Sequence, residues 1–331
     1  MTKLITQKVK WMKLGLETET YHLLFQNGRM DIFDFIRKTA EHGLDGVMIN
    51  VIAYPGDKNL HPKWGALGGA EPDHLERVRK EIEKYGLYAE IDTRGTEPDH
   101  LSDVIEVAHK IGADVIRTYC CPGKYDKKLL EQAPNNIIKI VPLLKKYRIK
   151  LAVENHEEEI ADEIIQIVNE VNSYWVGAHF DFGNSMMAWE DPVEASKKLA
   201  PYTYTTHFKD HIIIEAEDGF KVCGVPAGQG NIDLDEIFKI MVEHSPLTRI
   251  NIEMCYPYVA KFKREKGTGG VSKVGEGAFK VENPPLDRHT IEPENYYYPP
   301  EELIEELIEK QIQGAEQSIK HAKELRDKYC R

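Results

Sequence analysis

The sequence predicts a single α/β domain folded as a (β/α)8 barrel, and three observations lead to this prediction. Short apolar segments with strand character alternate with amphipathic helical segments along most of the chain. Eight such strands can be counted, and eight is the number that closes this barrel. The chain has 331 residues, of which 41% are hydrophobic, and this is enough for one barrel of roughly 250 residues with insertions.

The first third of the chain shows the alternation clearly. The strand Met12–Glu17 precedes a segment with apolar residues at helical spacing, which Gly43 ends. Gly46–Asn50 is the second strand, and Pro72 begins an amphipathic helix that ends before Gly86. Because parallel neighbours need a crossover connection and a helix is the usual one, this order predicts parallel strands.

The same alternation continues to the end of the chain. Helices are predicted near Leu101–Ile111, near Asn135–Tyr147 and in the final segment Pro300–Cys330. The remaining strands are predicted at Leu87–Asp92, Asp114–Thr118, Lys150–Glu154, Trp175–Asp181, Tyr202–His207 and Arg249–Glu253. A doubly wound open sheet would produce the same pattern, so the barrel prediction also depends on the convergence of polar residues at the strand ends.

Four predicted strands end in residues that can bind a metal ion: Glu154, Asp181, His207 and Glu253. A parallel barrel brings the carboxyl ends of its strands together at one mouth, where such barrels place their chemistry. Three carboxylates and one imidazole suit Mn²⁺ or Mg²⁺ better than they suit structural zinc. We expect one divalent ion, with Mn²⁺ as first choice and Co²⁺, Zn²⁺ or Fe²⁺ as alternatives, to polarise a carbonyl and neutralise an enediolate.

Two further residues follow the first glutamate and the histidine of this set at a spacing of two. His156 and Lys209 therefore share a face with those ligands if the strands continue. The pKa of imidazole lies near neutrality, so His156 is predicted to be a catalytic acid or base. Lys209 is predicted to stabilise an oxyanion or hold a substrate hydroxyl, with an ion pair to Asp210 at the barrel rim as the alternative. His211 fits a structural or rim position.

Charge and cysteine content argue against several classes of protein. The balance of 43 Lys and Arg against 55 Asp and Glu gives a net charge of −12, so no nucleic-acid partner is expected. The five cysteines have no Cys-x-x-Cys spacing and an odd number, which predicts reduced thiols in a cytoplasmic protein. No signal peptide and no apolar stretch near the roughly 20 residues of a membrane span are found, so no membrane contact is expected.

The segment between the last strand and the last helix, Tyr256–Pro300, is longer than such connections usually are. It is rich in Gly, Pro, Lys and Tyr and includes the aromatic patch Tyr296–Tyr298. One interpretation is a solvated surface insertion, and the other is a lid or a subunit contact. Aromatic residues are enriched at interfaces, so Tyr297 is the residue that we would choose to probe a contact.

Five motifs stand at or beside the strand ends, and together they resemble a known superfamily. They are Val153–His156, His179–Asn184, Thr206–Asp210, Gly228–Asp233 and Ile252–Glu253. They resemble the motif series of the sugar phosphate isomerase/epimerase superfamily, the xylose isomerase-like TIM barrels. The resemblance covers most of the chain and implies one ion bound by the four ligands named above, with chemistry that removes a proton next to a carbonyl.

The sequence departs from two branches of that superfamily. D-tagatose 3-epimerase-like enzymes use the two metal-bound glutamates as a proton-transfer pair and hold the substrate with an arginine shortly after the metal histidine. Between His207 and Glu217 this chain has no arginine. Endonuclease IV needs further histidines for three zinc ions, and Asn184 stands where one of them would be. The negative net charge also argues against a DNA substrate.

The Glu154-x-His156 arrangement and the long insertion resemble the α subunit of bacterial C-glycoside deglycosidases. This resemblance implies a carbon–carbon lyase that acts on 3-oxo-C-glucosides of plant polyphenols by C2 proton abstraction, enediolate formation and elimination of the aglycone. It implies His156 as the base and a smaller β subunit as partner in a hetero-oligomer. The same residues would serve a ketose 3-epimerase, a sugar isomerase or a 3-oxoisoapionate-type decarboxylase. A non-catalytic sugar-binding barrel is the alternative from another class.

Overall fold

Eight parallel strands close into a barrel in the computed structural model, which describes residues 11–53, 57–256, 258–285 and 299–330. The barrel strands are β1 (Lys13–Glu17), β2 (Gly46–Asn50), β3 (Tyr88–Asp92), β4 (Val115–Thr118), β5 (Lys150–Glu154), β6 (Val176–Asp181), β7 (Thr203–Phe208) and β10 (Arg249–Ile252). Each strand pairs with the next, and β10 closes on β1. The predicted fold class is confirmed, and each predicted strand lies within one or two residues of its observed bounds.

Helices cover the outside of the barrel. They are α1 (His22–Gln26), α2 (Ile32–Glu41), α3 (Pro72–Lys84), α4 (Pro98–Ile111), α5 (Lys127–Tyr147), α6 (Ala161–Val171), α7 (Pro192–Leu199), α8 (Leu234–His244) and α9 (Ile304–Tyr329). Helix α5 begins before its predicted start at Asn135, because Asp126 caps its first turn and the helix accommodates Pro134. Within the described ranges, no helix is both long and apolar enough to cross a membrane.

A second, four-stranded sheet adjoins the barrel and was not predicted from the sequence. The antiparallel hairpin of β8 (Asp210–Ala216) and β9 (Gly219–Val225) forms its centre. Strand β11 (Val259–Lys261) pairs with β9, and β12 (Val281–Glu282) pairs with β8. Because only Lys209 separates β7 from β8, no turn signal in the sequence marks where one strand ends and the next begins.

The described part of the insertion Tyr256–Pro300 packs on the barrel of its own chain. Phe262 and Phe279 both stack on Trp189, with ring centroids 3.9 and 5.9 Å from that of the tryptophan. The backbone of Gly269 also donates a hydrogen bond to Ala188 O at 3.1 Å. The patch Tyr296–Tyr298, which includes Tyr297, lies outside the described residues, so its contact with a second subunit stays a prediction.

A buried ion pair crosses the barrel interior one layer below the strand ends. Glu90 on β3 lies 2.5 Å from Arg249 Nε, and it accepts hydrogen bonds from Thr205 Oγ1 at 2.5 Å and Asn251 Nδ2 at 3.0 Å. Thr205 belongs to β7, while Arg249 and Asn251 belong to β10. A buried carboxylate needs such partners, so this cluster joins three strands beneath the mouth.

Replacing Arg249 with alanine should lower the free energy of unfolding by about 3–5 kcal/mol, because Glu90 is then buried without its cation. The control is Asp114→Ala, which removes an exposed partner of the same arginine. That variant should lose about 0–1 kcal/mol. Chemical denaturation measures both values, and equal losses in the two variants would contradict this account of the barrel interior.

Candidate metal centre and active site

The structure brings the four predicted ligands together at the carboxyl ends of their strands. His207 Nδ1 lies 3.3 Å from Glu154 Oε1, 3.4 Å from Asp181 Oδ2 and 3.0 Å from Glu253 Oε2. Asp181 and His207 are direct neighbours in the register of β6 and β7. All four side chains are buried, and the central imidazole is surrounded by three carboxylates.

The donor atoms of this set fit a divalent cation. Within the described residues, neither ring nitrogen of His207 has a hydrogen bond of good geometry. The carboxylate oxygens around this ring contact cations only as ion pairs, Glu154 with Arg117, and Asp181 and Glu253 with Lys209. Buried polar atoms normally have partners, so a shared ligand at their centre would satisfy them. The donor atoms of Asp181, His207 and Glu253 lie within 4.8 Å of one another, as a common ion requires. Their oxygen-rich composition suits Mn²⁺ or Mg²⁺.

The charges around the ligands also leave room for a divalent ion. Asp92 is a fourth buried carboxylate beside the three ligand carboxylates. Burial raises its pKa to about 6, so it is still largely ionised at neutral pH. Two cations contact this group in the described part of the chain: Arg117 bridges Asp92 and Glu154, and Lys209 Nζ lies 2.8 Å from Asp181 Oδ2. Burial holds the pKa of nearby Glu17 well above its ordinary value, so this group is counted as neutral. With the four carboxylates ionised and His207 neutral, as a metal ligand must be, two negative charges remain, which is the charge that a divalent ion neutralises.

Lys209 lies in the site and does not form the alternative ion pair with Asp210. Burial by itself would lower the pKa of Lys209, but the ligand carboxylates hold that pKa well above its ordinary value. Asp210 instead accepts the backbone N–H groups of Gly228 at 2.9 Å and Gly230 at 2.8 Å. A Cβ at Gly230 would lie 2.0 Å from Asp210 Oδ1, so this glycine-rich turn needs the glycine. Burial lowers the pKa of the neighbouring His211 to about 4, in keeping with a structural role.

His156 stands just beyond the end of β5, beside the ligand set. Its ring stacks on Tyr119 with centroids 3.9 Å apart, and its Nδ1 lies 3.7 Å from Glu158 Oε2. Burial by itself would lower the pKa of His156, but the carboxylates of Glu158 and Glu154 raise it to about 9. His156 can therefore hold a proton at neutral pH, and the positive charge of an ion at Glu154 would make that proton easier to lose.

A cavity of about 260 Å³ adjoins the ligand set. His156, Lys209 and Glu253 line it from the barrel, and Tyr258 and Lys263 line it from the insertion. The insertion therefore forms part of the cavity wall. This position places the predicted acid or base, the lysine and one ligand around the same space, as an active site requires.

Arg117 and His179 are among the site residues that the sequence reasoning missed. Arg117 is a charged residue inside the apolar strand β4, and such a residue is expected only where buried carboxylates pair with it. His179 precedes Asp181 by two residues, so the spacing that identified His156 also places it on the ligand face. Its Nε2 lies 3.6 Å from Glu154 Oε1. The sequence thus contains a signal for each residue, but the signal can be interpreted only when the pairing of the strands is known.

Comparison with known proteins shows that the chain belongs to the xylose isomerase-like TIM barrel family, whose model matches residues 36–269. The uncharacterized protein YihM of Escherichia coli (strain K12) is 25% identical over 243 residues, which cover 72% of this chain and 70% of YihM. The 3-oxo-isoapionate decarboxylase of Pectobacterium atrosepticum (strain SCRI 1043) is 27% identical over 176 residues. That match covers 53% of this chain and 64% of the decarboxylase.

Solved structures share the fold at lower identity. The IOLI protein with a bound zinc atom superposes with a TM-score of 0.61 at 15% identity, over 96% of this chain and 99% of that chain. L-Ribulose 3-epimerase superposes with a TM-score of 0.54 at 14% identity, over 73% of this chain and 81% of that chain. These structures share the barrel fold, and the family model confirms the resemblance to the xylose isomerase-like TIM barrels that the motifs indicated.

Replacing any of the four ligands with alanine should weaken divalent-metal binding by at least the ~10–100-fold typical of outer-shell substitutions, because each change removes a direct donor. Elemental analysis after Mn²⁺ loading and gel filtration measures the bound metal. Asp218→Ala is the control, since this exposed carboxylate lies in the turn between β8 and β9, outside the site. Parent-level metal in Asp181→Ala would count heavily against the ligand set.

Proposed function

We propose that this protein is a divalent-metal-dependent carbon–carbon lyase that acts on 3-oxo derivatives of sugars. The observation that carries the proposal is that a buried cation contacts each ligand glutamate: Arg117 contacts Glu154, and Lys209 contacts Glu253. An epimerase of the type described above would need these glutamates for proton transfer. Here their partners favour a role as fixed anionic ligands, and His156 is the separate group on the cavity wall that can exchange a proton.

The four ligands, His156 and Lys209 each have a role in this chemistry. Glu154, Asp181, His207 and Glu253 would hold the ion, which when bound would polarise the substrate carbonyl and offset the charge of the enediolate. His156 takes a proton from the carbon next to the carbonyl, or returns one to it. The buried ammonium of Lys209 adds positive charge where the oxyanion develops.

The first candidate substrate is a 3-oxo-C-glucoside of a plant polyphenol. His156 removes the C2 proton, and the electron pair forms the enediolate. As the C3 carbonyl is restored, a double bond forms between C1 and C2 and the C1–aglycone bond breaks. The aglycone carbon leaves with the bonding pair and takes up a proton. The Glu154-x-His156 arrangement supports this candidate, as does the insertion that contributes Tyr258 to the cavity wall. With this substrate we also propose a smaller β subunit as partner, with Tyr296–Tyr298 as a contact.

The second candidate substrate is a 3-oxo sugar acid, and the similarity to the 3-oxo-isoapionate decarboxylase favours it. In this reaction the bond to the carboxylate breaks, CO₂ leaves without the electron pair, and the enediolate receives a proton from His156. Both candidates break a carbon–carbon bond near a ketone and pass through the same type of anion. The same site can therefore serve either substrate.

Incubation of the Mn²⁺-loaded protein with a 3-oxo-C-glucoside and with a 3-oxo sugar acid should release aglycone or CO₂ from one of them. Free ketoses, tested in parallel, should give no epimer. NMR and mass spectrometry identify the products, and each reaction is run with and without a candidate β subunit. Asp181→Ala is the control for metal dependence. Ketose epimerisation without bond cleavage would contradict the lyase proposal.

Replacing His156 with alanine should lower the turnover rate by about 10²–10⁴-fold while the metal stays bound, because the variant loses its proton-transfer group. His244→Ala provides a matched control, since this histidine is exposed at the end of α8. Turnover is measured on the substrate that the parent protein cleaves. A His156→Ala protein that works at the parent rate would assign proton transfer to a glutamate and favour the epimerase mechanism.

A further inference from the structure

The loop from β5 to α6 is held in an unusual backbone conformation beside the cavity. Three consecutive residues of this loop, His156, Glu157 and Glu158, line the cavity. Glu157 has a φ of +31°, in a region that residues other than glycine rarely adopt. Such strain persists only where the surrounding structure enforces it, and it concentrates at functional sites. The contacts that hold Glu157 in this conformation therefore also determine the position of its neighbour His156.

Two side chains of the insertion hold the carboxylate of Glu157. Lys263 Nζ lies 3.0 Å from Glu157 Oε2, and the hydroxyl of Tyr258 donates a hydrogen bond to Glu157 Oε1. Both carboxylate oxygens thus contact residues that come from outside the loop. Glu157 is itself buried, so these contacts are protected from solvent and are stronger than surface ion pairs.

A third side chain of the insertion holds the backbone of the same loop. Arg264 Nη1 donates a hydrogen bond to Glu158 O at 2.6 Å and lies 3.1 Å from Glu163 Oε2. Glu163 in turn accepts the backbone N–H of Ile160 at 3.0 Å, at the start of α6. The guanidinium also lies 3.5 Å from the ring centroid of Tyr125. These contacts join the loop, the helix and the insertion.

The holding segment, residues 258–264, is fixed to the rest of the domain on its other side. The backbone N–H of Lys263 donates to Met187 O at 2.9 Å, and that of Gly224 donates to Tyr258 O at 2.8 Å. Phe262, which lies between Tyr258 and Lys263 in the sequence, stacks on Trp189. The segment therefore links the small sheet and the loop after β6 to the loop that carries His156.

We propose that Tyr258, Lys263 and Arg264 are positioning residues that fix the orientation of the His156 ring over the cavity. We call these three residues the loop clamp. The proposal rests on the proposed function for the role of His156, but the clamp itself does not depend on the substrate. A displacement of about 1 Å at a reacting group can lower a rate by about 10²-fold. By this proposal the insertion contributes to catalysis, because it orients the proton-transfer group.

The test measures how accessible His156 is in the metal-loaded protein. Lys263→Met and Tyr258→Phe each remove one contact to Glu157, and Lys261→Met is the control because that lysine pairs with exposed Asp218. Diethyl pyrocarbonate modifies histidine, and peptide mass spectrometry follows the modification at His156. Each clamp variant should be modified about tenfold faster than the parent, the factor expected for a lost charge-assisted hydrogen bond. The control should match the parent, and Lys263→Arg should restore slow modification.

A second readout follows turnover. On the cleaved substrate, Lys263→Met should lower kcat by about 10²-fold with little change in KM or in bound metal. Parent-like modification of His156 in both clamp variants would overturn the proposal, and so would faster modification with unchanged kcat. If the protein cleaves neither substrate class, the proposed function fails, and the modification rates still decide whether the clamp holds the loop. If the Lys263→Met protein does not fold, the modification rate of Tyr258→Phe provides the test instead.

Discussion

The burial of several carboxylates side by side at the mouth of the barrel is the constraint on which the rest of the site depends. Glu154, Asp181 and Glu253 are removed from water and face one imidazole, so their mutual repulsion must be compensated. The protein supplies part of the compensation through Arg117 and Lys209. A divalent ion would supply the remainder. The side chains that provide the ligand atoms are therefore the same ones that provide the negative charge.

The positive charges that compensate these carboxylates also determine which side chains can transfer a proton. A glutamate that contacts both an ion and a buried cation is stabilised as an anion and is a poor group for carrying protons. Proton transfer then falls to a group outside the ligand set, and His156 is placed against the cavity for this purpose. Because His156 sits on a strained loop, its position depends on the insertion that holds Glu157. Metal binding, proton transfer and the insertion are thus connected.

Much of the fold followed from the sequence, and so did the four ligand positions. Apolar segments between turn signals predicted the strands, and parallel strands must bring their carboxyl ends together. Polar residues also end other strands, however, as Glu17 and Asp92 do. Which of these ends share one space depends on pairing across the barrel, which the sequence alone does not specify. Arg117 was missed for this reason, because its partners come from neighbouring strands.

The small sheet and the packing of the insertion were also beyond sequence reasoning. Strand β8 follows β7 so closely that the break at Lys209 has no turn signal, and β11 joins the sheet from a part of the chain far from β9. The contacts of Lys263 and Arg264 with the β5–α6 loop span about a hundred residues. Charged residues in a Gly- and Lys-rich segment are usually solvated, and only tertiary contacts distinguish these two.

We infer that three carboxylates and a single imidazole hold the ion, with His156 and His179 outside its coordination sphere. Pulsed electron paramagnetic resonance of the Mn²⁺-loaded protein tests this most directly, because it detects coupling to directly bound imidazole nitrogen. We expect one such coupling, which His207→Gln removes and which His156→Ala and His179→Gln retain. A coupling that survives His207→Gln, or one that His156→Ala or His179→Gln abolishes, would contradict the account.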